Sequence, residues 1–118
     1  NMPDIPLKVL INPKINIIDS KSSFSSYEGC LSVPNLRGKV NRYSKINVEY
    51  FDENANYIKE DIQGLQSIVY QHEIDHLDGI LFTDKVKENK SLVTYSNFLK
   101  YHANDYQIEL ENYIKSFN

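Results

Sequence analysis

Residues 45–79, KINVEYFDENANYIKEDIQGLQSIVYQHEIDHLDG, change from the periodicity of a strand to that of a helix within one stretch. In its first part Ile46, Val48 and Tyr50 alternate with the residues between them, which is the period of a half-buried strand. DENAN is a predicted turn, and NYIKEDI is the predicted returning strand of a hairpin. The stretch therefore predicts two paired strands that lead directly into a helix.

The period becomes helical from Gly64. One face of the predicted helix, at positions i, i+3, i+4, i+7, i+8 and i+11, carries Leu65, Ile68, Val69, His72, Glu73 and His76. Gly79 is well placed to end the helix in a left-handed cap. We expect a helix over 64–78 whose two histidines lie on its apolar, inward face.

The flanking segments predict further short strands. LKVLIN (7–12) is a candidate strand that Pro13 would end, and INII (15–18) and ILF (80–82) are others. DSKSSFSS (19–26) is polar and rich in serine, so we expect a flexible loop there. GCLSV is a short extended segment that ends at Pro34.

A last helix is predicted over 95–117, where an apolar stripe is formed by Ala103, Tyr106, Leu110, Tyr113 and Phe117. Neither a repeat nor a domain linker interrupts the pattern. The predicted fold class is α+β, with short antiparallel β-sheets packed around a central helix and a C-terminal helix outside them.

Composition excludes several classes of protein. The 118 residues fit one domain. Lys and Arg total 13 against 16 Asp and Glu, a net charge of -3, so the basic footprint of a nucleic-acid-binding protein is missing. No apolar run approaches the roughly 18 residues of a membrane span. The single cysteine excludes an intrachain disulfide and suits a reducing compartment.

The predicted helix contains an H-E-x-x-H sequence that starts at His72 and ends at His76. Helical positions four apart project from the same side, so both imidazoles can reach one metal ion. Glu73 lies beside that pair, where its carboxylate can hold a water molecule. The alternative is two buried histidines that neighbouring polar groups satisfy.

A catalytic zinc-type site takes three protein ligands and keeps a fourth position open. No recognisable motif supplies a third ligand downstream of His76. Upstream, Cys30 lies in YEGCLSVP. A lone buried cysteine is commonly a small hydrophobic residue, but its combination with an H-E-x-x-H helix favours a metal ligand.

These two segments together resemble a known family. EGCLSVP, followed by QHEIDHLDGILF, is similar to the second and third signature motifs of the peptide deformylases, and the resemblance extends over residues 7–86. It implies a hydrolase that removes the N-terminal formyl group from the formyl-methionine of newly made proteins. The implied reaction is attack by a metal-bound hydroxide.

The resemblance also implies roles for individual residues. Cys30, His72 and His76 would be the ligands of one divalent metal ion, with Fe²⁺ expected as the native metal and Zn²⁺, Ni²⁺ or Co²⁺ permitted. Glu73 would be the general acid and base. The backbone N–H of Leu31 would help to stabilise the oxyanion.

The implied substrate-binding residues are small or apolar, apart from one arginine at the pocket mouth: Gly29, Leu65, Ile68, Val69 and Arg37. Glu28 and Arg42 resemble a structural ion pair that supports the cysteine segment. Plain surface charge is the alternative for each of them. Asp75 either orients His72 or faces solvent.

The sequence departs from the family in one respect. The first deformylase motif, G-x-G-x-A-A-x-Q, which precedes the opening strand, is absent, and Asn1 precedes Met2. We expect residues 1–118 to be a single domain that forms the C-terminal two-thirds of a deformylase-type domain, whose N-terminal segment is missing or belongs to a second chain. One alternative is a shortened homologue that binds metal with little or no activity. Another is an unrelated metalloprotease, against which Cys30 argues.

The implied partners are formyl-methionyl nascent peptides, and family analogy suggests transient contact of the C-terminal helix with the ribosome. Direct binding to nucleic acid or membranes is not predicted. The expected compartment is the bacterial cytoplasm, with the mitochondrion or plastid as alternatives.

Overall fold

The structure, a computed structural model, describes residues 10–30, 33–86 and 91–117, with the backbone alone for Cys30 and Val33. Its strands are β1 Ile11–Ile17, β2 Ser23–Cys30, β3 Val33–Tyr43, β4 Lys45–Phe51, β5 Tyr57–Gln63 and β6 Val93–Thr94. Its helices are α1 Leu65–Leu77, α2 Phe82–Lys85, α3 Tyr95–Tyr101 and α4 Ala103–Ser116.

Two antiparallel sheets form the framework, one in the order β1-β4-β5 and the other in the order β2-β3-β6. The predicted DENAN turn joins β4 to β5. Its geometry comes from Asp52, whose carboxylate accepts the backbone N–H groups of Asn54 and Asn56 at 2.9 Å each. Ala55 adopts a positive φ of 63° within this turn. The hairpin predicted from residues 45–63 is therefore confirmed, and the fold is α+β as expected.

The core lies between the β1-β4-β5 sheet and α1. Alternate residues of β4 are buried, as its period predicts, and they pack with residues of β5 and α1 in one cluster: Ile46, Val48, Tyr50, Ile62, Tyr70 and Ile74. The helix and the hairpin that precedes it therefore share one hydrophobic core, which fixes α1 against the sheet.

The helix α1 begins after Gly64, which has a φ of 69°, and ends before Gly79, which has a φ of 75°. Both glycines adopt left-handed backbone conformations that other residues rarely take. The deeply buried side of α1 includes Tyr70, Gln71 and Ile74 rather than the histidines. The histidines lie on the predicted apolar face and are partly buried, in agreement with the expectation that they avoid the solvent side. That face lines a cleft, while another side of the helix packs on the sheet.

The predicted flexible loop over 19–26 was also wrong, because β2 begins at Ser23. Serine-rich composition favours a loop, but residues 23–28 pair in register with β3 over Tyr43 to Gly38. That pairing provides hydrogen bonds for the backbone N–H and C=O groups of β2, and the side chain of Ser26 is buried. Pairing with the next strand along the chain overrides the local preference.

Three other boundaries differ from expectation. Pro13 lies inside β1 rather than after it, at an irregularity in the pairing with β4, which an edge strand tolerates. Residues 7–9 of the predicted first strand lie outside the described part of the chain. ILF does not form a strand, because α2 begins at Phe82.

The predicted C-terminal helix over 95–117 is divided into α3 and α4 at His102, whose φ of −127° is not helical. Thr94 caps α3 by accepting the backbone N–H of Asn97. None of the helices in the described part of the chain is long and apolar enough to cross a membrane.

Truncation of the core residue Ile46 to Ala should lower the free energy of unfolding by about 2–5 kcal/mol, because the Ile46 side chain is completely buried. Urea denaturation of the full chain measures this change. Ile18→Ala is the matched control, since the Ile18 side chain is 52% exposed and its loss should change stability by less than about 0.5 kcal/mol. Equal effects of the two substitutions would contradict the position of the core.

Candidate metal and substrate site

A buried ion network joins β2, β3 and α1. Arg42 on β3 is 2% exposed, and its Nε and Nη2 donate to the two carboxylate oxygens of Glu28 at 2.8 and 2.7 Å. Its Nη1 donates to Asp75 Oδ2 at 2.6 Å, and Lys85 donates to the same carboxylate at 3.0 Å. The two carboxylates and two cations balance in charge, as buried ions require.

The contacts between Glu28 and Arg42 shift the pKa of each toward its charged form. Burial by itself raises the pKa of Glu28, but hydrogen bonds and attraction from Arg42 and His72 outweigh it and hold that pKa below its usual value. Burial by itself lowers the pKa of Arg42, and the contacts with Glu28 and Asp75 outweigh it to raise that pKa. Glu28 therefore stays a carboxylate that accepts hydrogen bonds.

The same carboxylate orients His72. Glu28 Oε1 lies 2.9 Å from His72 Nδ1, and because an ionised carboxylate can only accept, the Nδ1 carries the proton. The other ring nitrogen of His72, Nε2, lies 3.1 Å from Nε2 of His76. A carboxylate that fixes the tautomer of a histidine in this way is typical of metal-binding histidines.

The two histidines fit a shared cation. In a tetrahedral site with metal–nitrogen distances near 2.0–2.1 Å, two nitrogen ligands lie about 3.3 Å apart, a few tenths of an ångström from the separation of the Nε2 atoms. Without a cation, the same separation allows His76 to donate a hydrogen bond to His72. Among the side chains that the structure describes, which exclude that of Cys30, no three His, Cys, Asp or Glu groups are placed to hold a metal.

Cys30 is the last residue of β2, two positions beyond Glu28 on the same strand. Since Glu28 contacts His72, this strand leads toward the histidine pair. Leu31, the predicted oxyanion residue, lies outside the described part of the chain.

A cleft of about 320 Å³ opens beside His72. One wall is formed by residues 26–29 of β2, and a second wall comes from α4. The third wall is the predicted helix face, with Leu65, Ile68, Val69, His72 and Glu73. The structure therefore brings the predicted pocket residues of α1 together with Gly29, beside the exposed carboxylate of Glu73.

Arg37 does not line this cleft, but its guanidinium lies against Gly29, where an added Cβ would come within 2.5 Å of it. The same guanidinium stacks on Tyr95 at 4.2 Å. Asp75 matches neither predicted alternative, because it is buried and contacts Arg42 and Lys85 instead of solvent or His72.

Sequence reasoning missed four residues that line the cleft: Ser26, Tyr27, Tyr106 and Leu110. Ser26 and Tyr27 immediately precede the EGC segment, and this proximity was the signal by which the sequence could have identified them. The last two lie four apart on α4 and were assigned only to the apolar stripe of that helix. The apolar stripe of α4 therefore forms one wall of the cleft and also packs against the rest of the protein.

An α+β fold in which an H-E-x-x-H helix faces an apolar cleft is typical of metal-dependent hydrolases. Residues 1–92 match the family model described as polypeptide deformylase, and the chain belongs to that family.

Individual relatives agree with the family assignment. The chain is 41% identical over 96 residues to peptide deformylase 2 of Nostoc sp., which covers 81% of this chain and 53% of the relative. A crystal structure of a Synechococcus elongatus peptide deformylase in complex with actinonin superimposes with a TM-score of 0.64 at 39% identity, covering 71% of this chain and 46% of that one.

A class I type b peptide deformylase from Acinetobacter baumannii, in a crystal structure with bound Met-Ala-Ser, gives a TM-score of 0.63 at 36% identity. That superposition covers 71% of this chain and 52% of the other. The chain thus spans about half the length of the relatives it matches.

Replacement of Arg42 by Met should destabilise the metal-free protein by about 3–5 kcal/mol, because Glu28 would lose its buried cationic partner and Asp75 would keep only the partly exposed Lys85. Denaturant unfolding in the presence of chelator measures this without a contribution from bound metal. The only other arginine supplies the control, Arg37→Met, which leaves both carboxylates paired. A loss below about 1 kcal/mol in Arg42→Met would contradict the role given to this network.

Proposed function

We propose that this chain carries the metal and substrate site of a peptide deformylase, which hydrolyses the formamide of N-formylmethionyl peptides. The observation that supports this most directly is the pair of histidine nitrogens 3.1 Å apart, oriented by Glu28 at the edge of an apolar cleft. Membership of the deformylase family gives this arrangement its reaction.

Cys30, His72 and His76 are the proposed ligands of one divalent ion. The described side chains alone do not provide three ligands, and Cys30, two residues beyond the Glu28 that contacts His72, is the proposed third ligand. When bound, the ion supplies Lewis acidity and lowers the pKa of water. A thiolate with two imidazoles suits iron(II) and zinc, and we propose Fe²⁺ as the native metal.

Glu73 is the proposed general acid and base. Its side chain is exposed at the cleft, one residue from His72, so its carboxylate can accept a proton from water there. The water oxygen adds to the formyl carbon, the carbon–nitrogen bond breaks, and Glu73 returns the proton to the leaving amine. Formate and a free amino terminus are the products. The N–H of Leu31 is the proposed donor to the oxyanion.

The proposed substrate side chain is that of methionine. Leu65, Ile68 and Val69 give the cleft an apolar wall, and its volume of about 320 Å³ is small for a ligand cleft. The similar Acinetobacter baumannii enzyme has been crystallised with Met-Ala-Ser bound. We propose nascent formyl-methionyl chains as the partners, met at the ribosome in the cytoplasm of a bacterium.

Glu73→Gln should retain the metal and lower the rate of formate release by about 10²–10⁴-fold, because the amide cannot accept a proton. Formate release from formyl-Met-Ala-Ser by the full chain, loaded anaerobically with Fe²⁺ or with Ni²⁺, measures this rate. Asp78→Asn is the control, since this exposed carboxylate follows the same helix away from the cleft. Bound metal with no turnover in the parent protein would refute the deformylase activity and support the alternative of a metal-binding module.

Cys30→Ala and His72→Ala should each abolish stoichiometric metal binding, since two remaining ligands do not hold a divalent ion tightly. Elemental analysis of the purified, gel-filtered protein gives the metal content. The third histidine provides a matched control, because His102 packs beside Tyr27 between α3 and α4 and His102→Ala should keep the metal. Retention of one metal per chain in Cys30→Ala would remove Cys30 from the site.

A further inference from the structure

We propose that Tyr106 on α4 sets the depth of the substrate cleft and thereby limits the size of the side chain that the first residue of the substrate can carry. This inference rests on the proposed function, because it concerns selectivity within the same cleft. Tyr106 lies outside residues 1–92, which are the part of the chain that matches the family model. The depth of the cleft is therefore set by a segment that the family match does not include.

Two walls of the cleft lead away from the reacting end toward Tyr106. Along α1, Leu65 lies seven residues before His72, which corresponds to about 10 Å along the helix axis. Along β2, Ser26 lies four residues before Cys30, which corresponds to about 13 Å of extended strand. Ser26 and Leu65 thus mark the remote end of the cleft.

Tyr106 is placed at this remote end by its hydroxyl, which lies 3.4 Å from the hydroxyl of the buried Ser26. Leu110, one helical turn further along α4, lines the same cleft and is 4% exposed. A side chain that enters from the histidine end therefore meets the ring of Tyr106 as it approaches Ser26.

The ring is held by packing on its other sides. Tyr27 contacts it edge-on with ring centroids 5.2 Å apart, and Phe98 and Phe24 lie at 6.1 and 6.2 Å. These separations are typical of favourable aromatic pairs. Because burial also raises the pKa of Tyr106, its hydroxyl stays protonated at neutral pH. The ring is a fixed, uncharged barrier rather than a mobile surface side chain.

The test compares kcat/KM of the full, metal-loaded chain for formyl-Phe-Ala-Ser and formyl-Met-Ala-Ser. Tyr106→Ala should raise the Phe-to-Met ratio tenfold or more, because the phenol no longer limits the cleft. Tyr106→Leu, which keeps apolar packing but is shorter, should raise it by a smaller factor. Tyr101→Ala is the matched control from the neighbouring helix, since Tyr101 is 62% exposed and is not part of the cleft.

A Phe-to-Met ratio within twofold of the parent value in the folded Tyr106 variants would overturn the proposal. If Tyr106→Ala fails to fold, the Phe-to-Met ratio of Tyr106→Leu alone decides whether the proposal holds. A shift of the same size in Tyr101→Ala would also overturn it, because the effect would then belong to the C-terminal helices in general.

Equilibrium binding separates this inference from the proposed function. Calorimetry with Met-Ala-Ser and Phe-Ala-Ser, which need no turnover, should show the same change in relative affinity in the Tyr106 variants. A shifted affinity ratio in a protein that releases no formate would refute the deformylase activity and support the role of Tyr106. If the parent chain binds neither peptide and releases no formate, both proposals fail.

Discussion

The ion pairs of Arg42 are the contacts on which the site depends. One buried guanidinium on β3 holds Glu28 of β2 with two hydrogen bonds and Asp75 of α1 with a third. Buried charges are tolerated only when they are paired, so strand and helix are restricted to positions in which all three groups meet. Glu28 also orients His72, and the orientation of the histidine pair therefore follows from the same contacts.

One side of helix α1 packs in the core, and another side lines the cleft. Tyr70 and Ile74 pack on the β1-β4-β5 sheet, while Gln71 bonds the backbone of Tyr43 through both its oxygen and its nitrogen. Those contacts leave His72 and Glu73 on a side that the cleft reaches. The core contacts position the helix, and the hydrogen bond from Glu28 then fixes the ring of His72.

Local periodicity was sufficient to predict the β4-β5 hairpin and α1, because both signals are local in the sequence. The hairpin is indicated by alternating apolar residues, and the limits of α1 are indicated by the glycines on either side of it. The loop predicted over 19–26 failed because β2 depends on pairing with β3, which composition does not report. The division of the last helix at His102 was also missed. In the site, motif residues could be assigned from resemblance, but the wall formed by Tyr106 depends on how α4 packs across β2.

The two ends of the cleft are held by different kinds of interaction. At the histidine end, charge pairing fixes Glu28 and His72. At the remote end, aromatic packing and a pair of hydroxyls hold Tyr106. In the proposed role of Tyr106, a segment outside the family match would therefore adjust the depth of the cleft while Arg42 keeps Glu28 and His72 in place.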